Sequence, residues 1–163
     1  MEMASLSEEA LHRAIRIEIR ARDFYSRLSD QIKNRRGRRK MRALSRSEEH
    51  HKNMLIRRFR SLLGREYNPQ QDQDNATDMG AEDPNSLGEH VFTDQASAME
   101  VVSFAIGMED RAARYYAEQL KKVADPRDIR LLKRLVHFET RHKQRLQAEY
   151  ARLNSSFYWV RWF

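Results

Sequence analysis

The sequence predicts an all-α chain: an antiparallel four-helix bundle made of two helical hairpins joined by a long crossover loop. Three observations predict it. Gly and Pro are scarce (5 and 3 in 163 residues) while Glu, Arg, Leu, Ala and Met are plentiful, a composition that favours long helices over sheets. Apolar residues recur at three- and four-residue steps through four long segments. The two halves of the chain also repeat each other: a shift of 91 residues without a gap superposes Glu18, Tyr25, Glu48 and His51 on Glu109, Tyr116, Glu139 and His142. The same shift matches Ala14 with Ala105, Ile15 with Ile106, Ala21 with Ala112, Leu44 with Leu135 and Leu55 with Leu146.

The first helix is expected over about residues 5–33. Ser5-Leu6-Ser7-Glu8 reads as a capping box, in which Ser5 and Glu8 satisfy each other's free backbone N–H groups. Leu11, Ala14, Ile15, Ala21, Phe24, Tyr25, Leu28 and Ile32 form its apolar stripe, and Glu18 falls on the same face as Ala14, Ala21 and Tyr25. A carboxylate on a core-facing stripe is costly unless something pairs with it. A metal ion is such a partner. The basic run Lys33 to Lys40 marks the turn and the first turns of the second helix, over about 38–63. It reads as a solvated, positively charged bundle end. No aromatic residue interleaves it, so no nucleic-acid partner is expected. Met41, Leu44, Met54, Leu55, Phe59, Leu62 and Leu63 carry the second stripe, interrupted in its middle by Glu48 and His51, and Gly64 ends it.

From Arg65 to Phe92 the periodicity vanishes into Asn, Asp, Gln, Gly and Pro, giving a crossover loop over residues 64–92. Helices of about 26 residues are about 39 Å long, and a connection between two parallel helices must travel back along the bundle. The third helix is expected over about 93–123, from Thr93-Asp94, with Glu109 again flanked by alanines. Asp125-Pro126 starts the fourth, over about 126–154, with Asp as cap and Pro at the first helical position. Residues 1–154 thus form one bundle. The tail 155–163 holds five aromatics in Phe157 to Phe163. It is expected to fold onto the bundle or a second subunit rather than to anchor a membrane.

Composition narrows the chemistry. There is no cysteine, which removes disulfides, thiolate zinc sites and Cys-ligated iron–sulfur or rubredoxin-type centres. Residues 1–19 carry acidic side chains and no apolar block, so no signal peptide is expected. No apolar run approaches the ~20 residues of a membrane span. A cytoplasmic location is the expectation. The formal charge of +7 is compatible with an anionic partner but names none.

Residues at i and i+3 share a helix face, so each Glu-x-x-His offers one oxygen and one nitrogen to a metal in the bundle core. Four inward carboxylates without cations would have to protonate, be hydrated or open the bundle. The segment Ala14 to Leu55, with its A-I-x-x-E-x-x-A-x-x-F-Y and L-x-x-x-E-x-x-H-x-x-x-L patterns, resembles the rubrerythrin-like branch of the ferritin-like di-iron carboxylate superfamily. Ala105 to Leu146 repeats it. The resemblance covers both hairpins, about half the chain, and implies two iron ions held by Glu18, Glu48, His51, Glu109, Glu139 and His142. Tyr25 and Tyr116 would be hydrogen-bonding neighbours with a part in catalysis. Manganese or zinc would also suit these ligands.

The chain departs from the family in two places. Full-length rubrerythrins add a cysteine-ligated rubredoxin domain, so this chain resembles a stand-alone di-iron domain needing an external electron-donor protein. They also carry a further carboxylate one turn after the second-half Glu, where this chain has Ala112. The implied activity is reduction of peroxide or dioxygen, and homodimerisation is a family-level expectation. Two other functions are carried alongside: ferrous-iron oxidation for storage or delivery, and a non-catalytic membrane- or nucleic-acid-binding module built on the basic turn and aromatic tail. The last leaves the repeated ligands unexplained.

Overall fold

Ser7 rather than Ser5 caps the first helix. Its side chain accepts a hydrogen bond from Ala10 N–H at 3.1 Å, and α1 runs Glu8–Gln31. The start comes later than the sequence suggests because the preceding residues are held across the bundle end. Leu6 N–H donates to Asp128 Oδ2 at 3.0 Å, and Ala4 O accepts from the N–H groups of Ala124 and Asp125. The computed structural model describes residues 4–70 and 98–154. Most of the expected crossover loop, the expected third-helix start at Thr93-Asp94, His90 and the aromatic tail lie outside the described residues.

The second helix, α2, spans Arg35–Leu63 and starts three residues before the expected position. Asn34 Oδ1 accepts from the N–H groups of Arg36 and Gly37, both at 3.0 Å. With that cap in place, the arginines and lysine after it, all good helix formers, enter the helix. Gly64 closes α2 as expected, with φ 66° and its N–H on Arg60 O at 3.0 Å. Helix α3 spans Ala98–Leu120, ending before the expected residue 123. Lys121 and Lys122 there turn back onto Glu118 O and Gln119 O. Helix α4 spans Pro126–Asn154, as the Asp125-Pro126 start predicts, and Asp125 Oδ1 accepts from Arg127 N–H at 2.7 Å. The start of α4 at Pro126 lies 91 residues after the start of α2 at Arg35, so the internal repeat extends to the helix starts.

The core has two apolar layers. One joins Leu28 of α1 and its C-cap Ile32, Met41 and Leu44 of α2, Val101 and Ala105 of α3, and Leu146 and Leu153 of α4. The other joins Leu11 and Ile15, Leu55 and Phe59, Ala112 and Tyr116, and Leu132 and Leu135. The first takes the late part of α1 and α4 and the early part of α2 and α3; the second takes the reverse. Thus α1 is antiparallel to α2 and α3, while α2 is parallel to α3. The end of α2 and the start of α3 therefore lie at opposite ends of the bundle, as the long crossover requires. Each fully buried Leu, Ile or Phe contributes about 1.5–3 kcal/mol, so both layers hold the bundle closed around what lies between them.

Ion pairs tie the two ends. Arg58 Nε meets Asp128 Oδ1 at 2.5 Å, and its Nη2 meets Asp125 Oδ2 and Asp128 Oδ2 at 2.9 Å each. At the other end the buried Glu149 accepts from Lys40 and Arg152. Arg58 and Glu149 occupy equivalent positions of the repeat with opposite charge. No helix among the described residues is long and apolar enough to cross a membrane.

Candidate metal centre

Between the two apolar layers each of the four helices contributes buried polar groups. Glu18 comes from α1, Glu48 and His51 from α2, Glu109 from α3, and Glu139 and His142 from α4, each at most 4% exposed. All six residues expected from the repeat meet there. Nδ1 of His51 lies 2.9 Å from Glu48 Oε2, 2.9 Å from Glu139 Oε1 and 3.3 Å from Glu18 Oε2. Nδ1 of His142 lies 2.9 Å from Glu48 Oε1, 3.4 Å from Glu139 Oε2 and 3.6 Å from Glu109 Oε2. Glu48 and Glu139 therefore each turn one oxygen toward each histidine, while Glu18 and Glu109 serve one histidine apiece.

The ligand atoms form two groups, Glu18–Glu48–His51–Glu139 and Glu48–Glu109–Glu139–His142, each within 4.8 Å. Two cations sharing two carboxylates need this arrangement. Several of the atoms find no other partner: Glu18 Oε2, Glu48 Oε1, Glu139 Oε1 and His142 Nδ1 are buried without a hydrogen bond. His142 Nδ1 and Glu48 Oε1 approach to 2.9 Å. Buried polar atoms are rarely left so, and an oxygen-and-imidazole donor set suits iron, manganese or zinc. The residues present fit a metal pair.

Electrostatics give the same picture. Burial pushes the Glu18 carboxyl well above the ordinary carboxylate range, and the neighbouring Glu139 adds to it. Burial also raises Glu109, against the opposing pull of the His142 ring 3.6 Å away. For His51 burial disfavours the charged ring, but Glu139, Glu18 and Glu48 outweigh it and raise the pKa to about 12. His142 rises to about 12 by the same balance with Glu109, Glu139 and Glu48. Burial would raise Glu139 too, yet His142 and His51 hold it down at about 2. Without metal, protons must supply the positive charge that the carboxylates demand.

The tyrosines cross between hairpins. Tyr25 Oη donates to Glu109 Oε1 and Tyr116 Oη donates to Glu18 Oε1, so each hairpin's phenol holds the other's single-histidine carboxylate. Burial raises both phenols well above the ordinary tyrosine value, with Glu109 and Glu18 adding to it. Both O–H groups therefore stay donors.

The profile of the family described as Rubrerythrin matches residues 9–150. The chain belongs to the rubrerythrin family. Two solved structures share its fold. A hypothetical protein from Pyrococcus furiosus is 24% identical, with TM-score 0.67 over 91% of this chain and 90% of that one. The bacterioferritin-related protein from Bacteroides fragilis, described as a dodecameric thioferritin, is 19% identical, with TM-score 0.65 over 91% of this chain and 88% of that one. No curated protein matches the sequence significantly. In this rubrerythrin-family chain Ala112 sits in the apolar layer beside the site, where the resemblance would put a further carboxylate.

Sequence reasoning missed two neighbours of the centre. Phe138 stacks on His51 with centroids 4.9 Å apart and 14° between planes. Ser47 Oγ lies within 3.3 Å of Nε2 of both histidines. Ser47 stands one turn before His51, so its place on that face was readable; its approach to His142 spans the bundle and was not. Of the histidines outside the repeated motif, His12 packs edge-on against Phe59 at 5.0 Å, while His50 and His137 are exposed.

Proposed function

We propose that this chain is a non-haem di-iron oxidoreductase that reduces peroxide or dioxygen with electrons from an external donor protein. The observation that carries the reading is the sharing of Glu48 and Glu139 between two histidines. Glu18, Glu48, His51 and Glu139 would hold one ion, and Glu48, Glu109, Glu139 and His142 the other. Bound iron supplies one reducing electron per ion and open coordination positions at which an O–O bond can be reduced. The chain's own residues set the conditions. Glu48 and Glu139 span both positions, the apolar layers exclude water from above and below, and Tyr25 and Tyr116 keep Glu109 and Glu18 turned inward through their Oη protons. In this reading a separate protein returns the electrons, and a homodimer is the assembly it expects. Anaerobic ferrous loading followed by separate mixing with peroxide and dioxygen tests it, read by the visible spectrum. Markedly faster oxidation by peroxide is the expected result; equal slowness with both oxidants would overturn the reading.

A second reading, ferrous-iron oxidation for storage or delivery, is favoured by the structural neighbour described as a dodecameric thioferritin. Ferrous ion is then the substrate. Sedimentation discriminates the two: a closed multi-subunit shell together with faster oxidation by dioxygen supports storage, and a small dimer, unable to enclose a mineral, does not.

A further inference from the structure

Ser47 is half-buried on α2, with Oγ 3.3 Å from His51 Nε2 and 3.0 Å from His142 Nε2. Nδ1 of each ring faces the carboxylates instead. The two rings stack with centroids 5.4 Å apart and 19° between planes, so their outer nitrogens reach one point. A hydroxyl oxygen has two acceptor lone pairs, enough for two ring N–H donors. The internal repeat does not explain the residue: its equivalent is Phe138, which stacks on His51. One hairpin thus supplies a ring at this place and the other a hydroxyl.

We infer that Ser47 is a positioning residue shared by both histidines, its hydroxyl accepting both Nε2–H groups and holding both Nδ1 lone pairs toward the metal pair. The inference rests on the di-metal reading. A neutral imidazole carries its proton on one nitrogen only, and the hydrogen bond made by that nitrogen decides which lone pair is free. With no acceptor at Nε2, the tautomer protonated on Nδ1 competes with the metal and the ring loses its fixed orientation. Loss of such a partner costs roughly 10–100-fold in metal affinity. Because one hydroxyl serves both rings, its removal weakens both ions together.

The test uses the full chain and zinc(II), a diamagnetic probe, in competition with a chelating dye, together with NMR of the ring N–H groups of the zinc-loaded protein. Wild type is expected to bind two ions and to show slowly exchanging Nε2–H protons from both rings. Ser47→Ala, which keeps a good helix former in place, is expected to retain its circular dichroism. It should weaken both ions by roughly 10–100-fold and speed exchange of both protons. Ser47→Thr, which keeps the hydroxyl, should restore most of the affinity. Unchanged affinity and signals in Ser47→Ala, a loss confined to one ion, or a threonine variant as weak as alanine would overturn the shared role while leaving the site intact. A wild type that takes up no zinc pair would instead overturn the di-metal reading itself.

Discussion

Glu48 and Glu139 differ from Glu18 and Glu109 in one respect: each reaches both histidines. Glu48→Ala and Glu139→Ala are therefore expected to abolish two-ion loading, while circular dichroism of the metal-free chain stays helical; metal analysis of the purified variants reads it. Tyr25→Phe removes the phenol that holds Glu109, a buried hydrogen bond to a carboxyl, and should cost about 1–3 kcal/mol in urea unfolding. The sign of the pH dependence follows from the same cluster. His51 and His142 are raised to about 12 in the metal-free fold, so their contribution is full below the ordinary histidine value of 6.5 and is lost as pH rises toward 12. Glu18 and Glu109, raised by burial, add a cost over the same rise. The metal-free melting temperature is thus expected to fall between pH 6.5 and about 9, and zinc to remove most of that fall by taking over the protons' role. A melting temperature that rises over this interval without metal would contradict the assignment. At this scale the sequence was informative because carboxylates and histidines interrupting an apolar stripe have few structural uses. Ser47 and Phe138 carried no such signal, since either is ordinary in a helix, and the approach of Ser47 to His142 and of Phe138 to His51 reaches from one hairpin to the other.

Helix boundaries show which end signals decide. Gly64 and Asp125-Pro126 were readable because a positive φ and a proline at the first position leave few alternatives. Ser5-Leu6-Ser7-Glu8 offered two serines, and the choice of Ser7 was made by Asp128 and Ala4, whose contacts with the far end of the chain local sequence does not encode. Asn34 was passed over inside a basic run, although its side chain caps two N–H groups. Asn34→Ala should cost about 1 kcal/mol. Gly64→Ala should cost about 1–2 kcal/mol, from backbone strain alone, because an added Cβ would meet nothing within 4 Å. Chemical denaturation of both variants measures these losses, and unchanged midpoints would show that the caps contribute nothing.

Across the whole molecule, the two hairpins are joined less by repetition than by exchange. Each tyrosine binds the other hairpin's carboxylate, Glu48 and Glu139 each face both histidines, and Arg58 of the first hairpin is clamped on Asp125 and Asp128 of the second. Arg58→Ala leaves the buried Asp128 without its cation, while Asp125 keeps Arg127, and should destabilise the chain by about 3–5 kcal/mol, read by thermal and urea unfolding; a loss under about 1 kcal/mol would mean that the clamp is dispensable. The 91-residue shift made the bundle, the parallel α2 and α3 and the six buried Glu and His side chains that meet between the layers legible. It could not show the end clamps, because the repeat places Arg58 opposite Glu149 and the partners of each come from elsewhere in the chain. The claim on which the rest depends is that these six side chains hold a pair of ions. Anaerobic titration of the full chain with ferrous iron decides it: saturation is expected at two irons per chain, falling below two in Glu48→Ala and Glu139→Ala, and saturation at one or none in the wild type would contradict it.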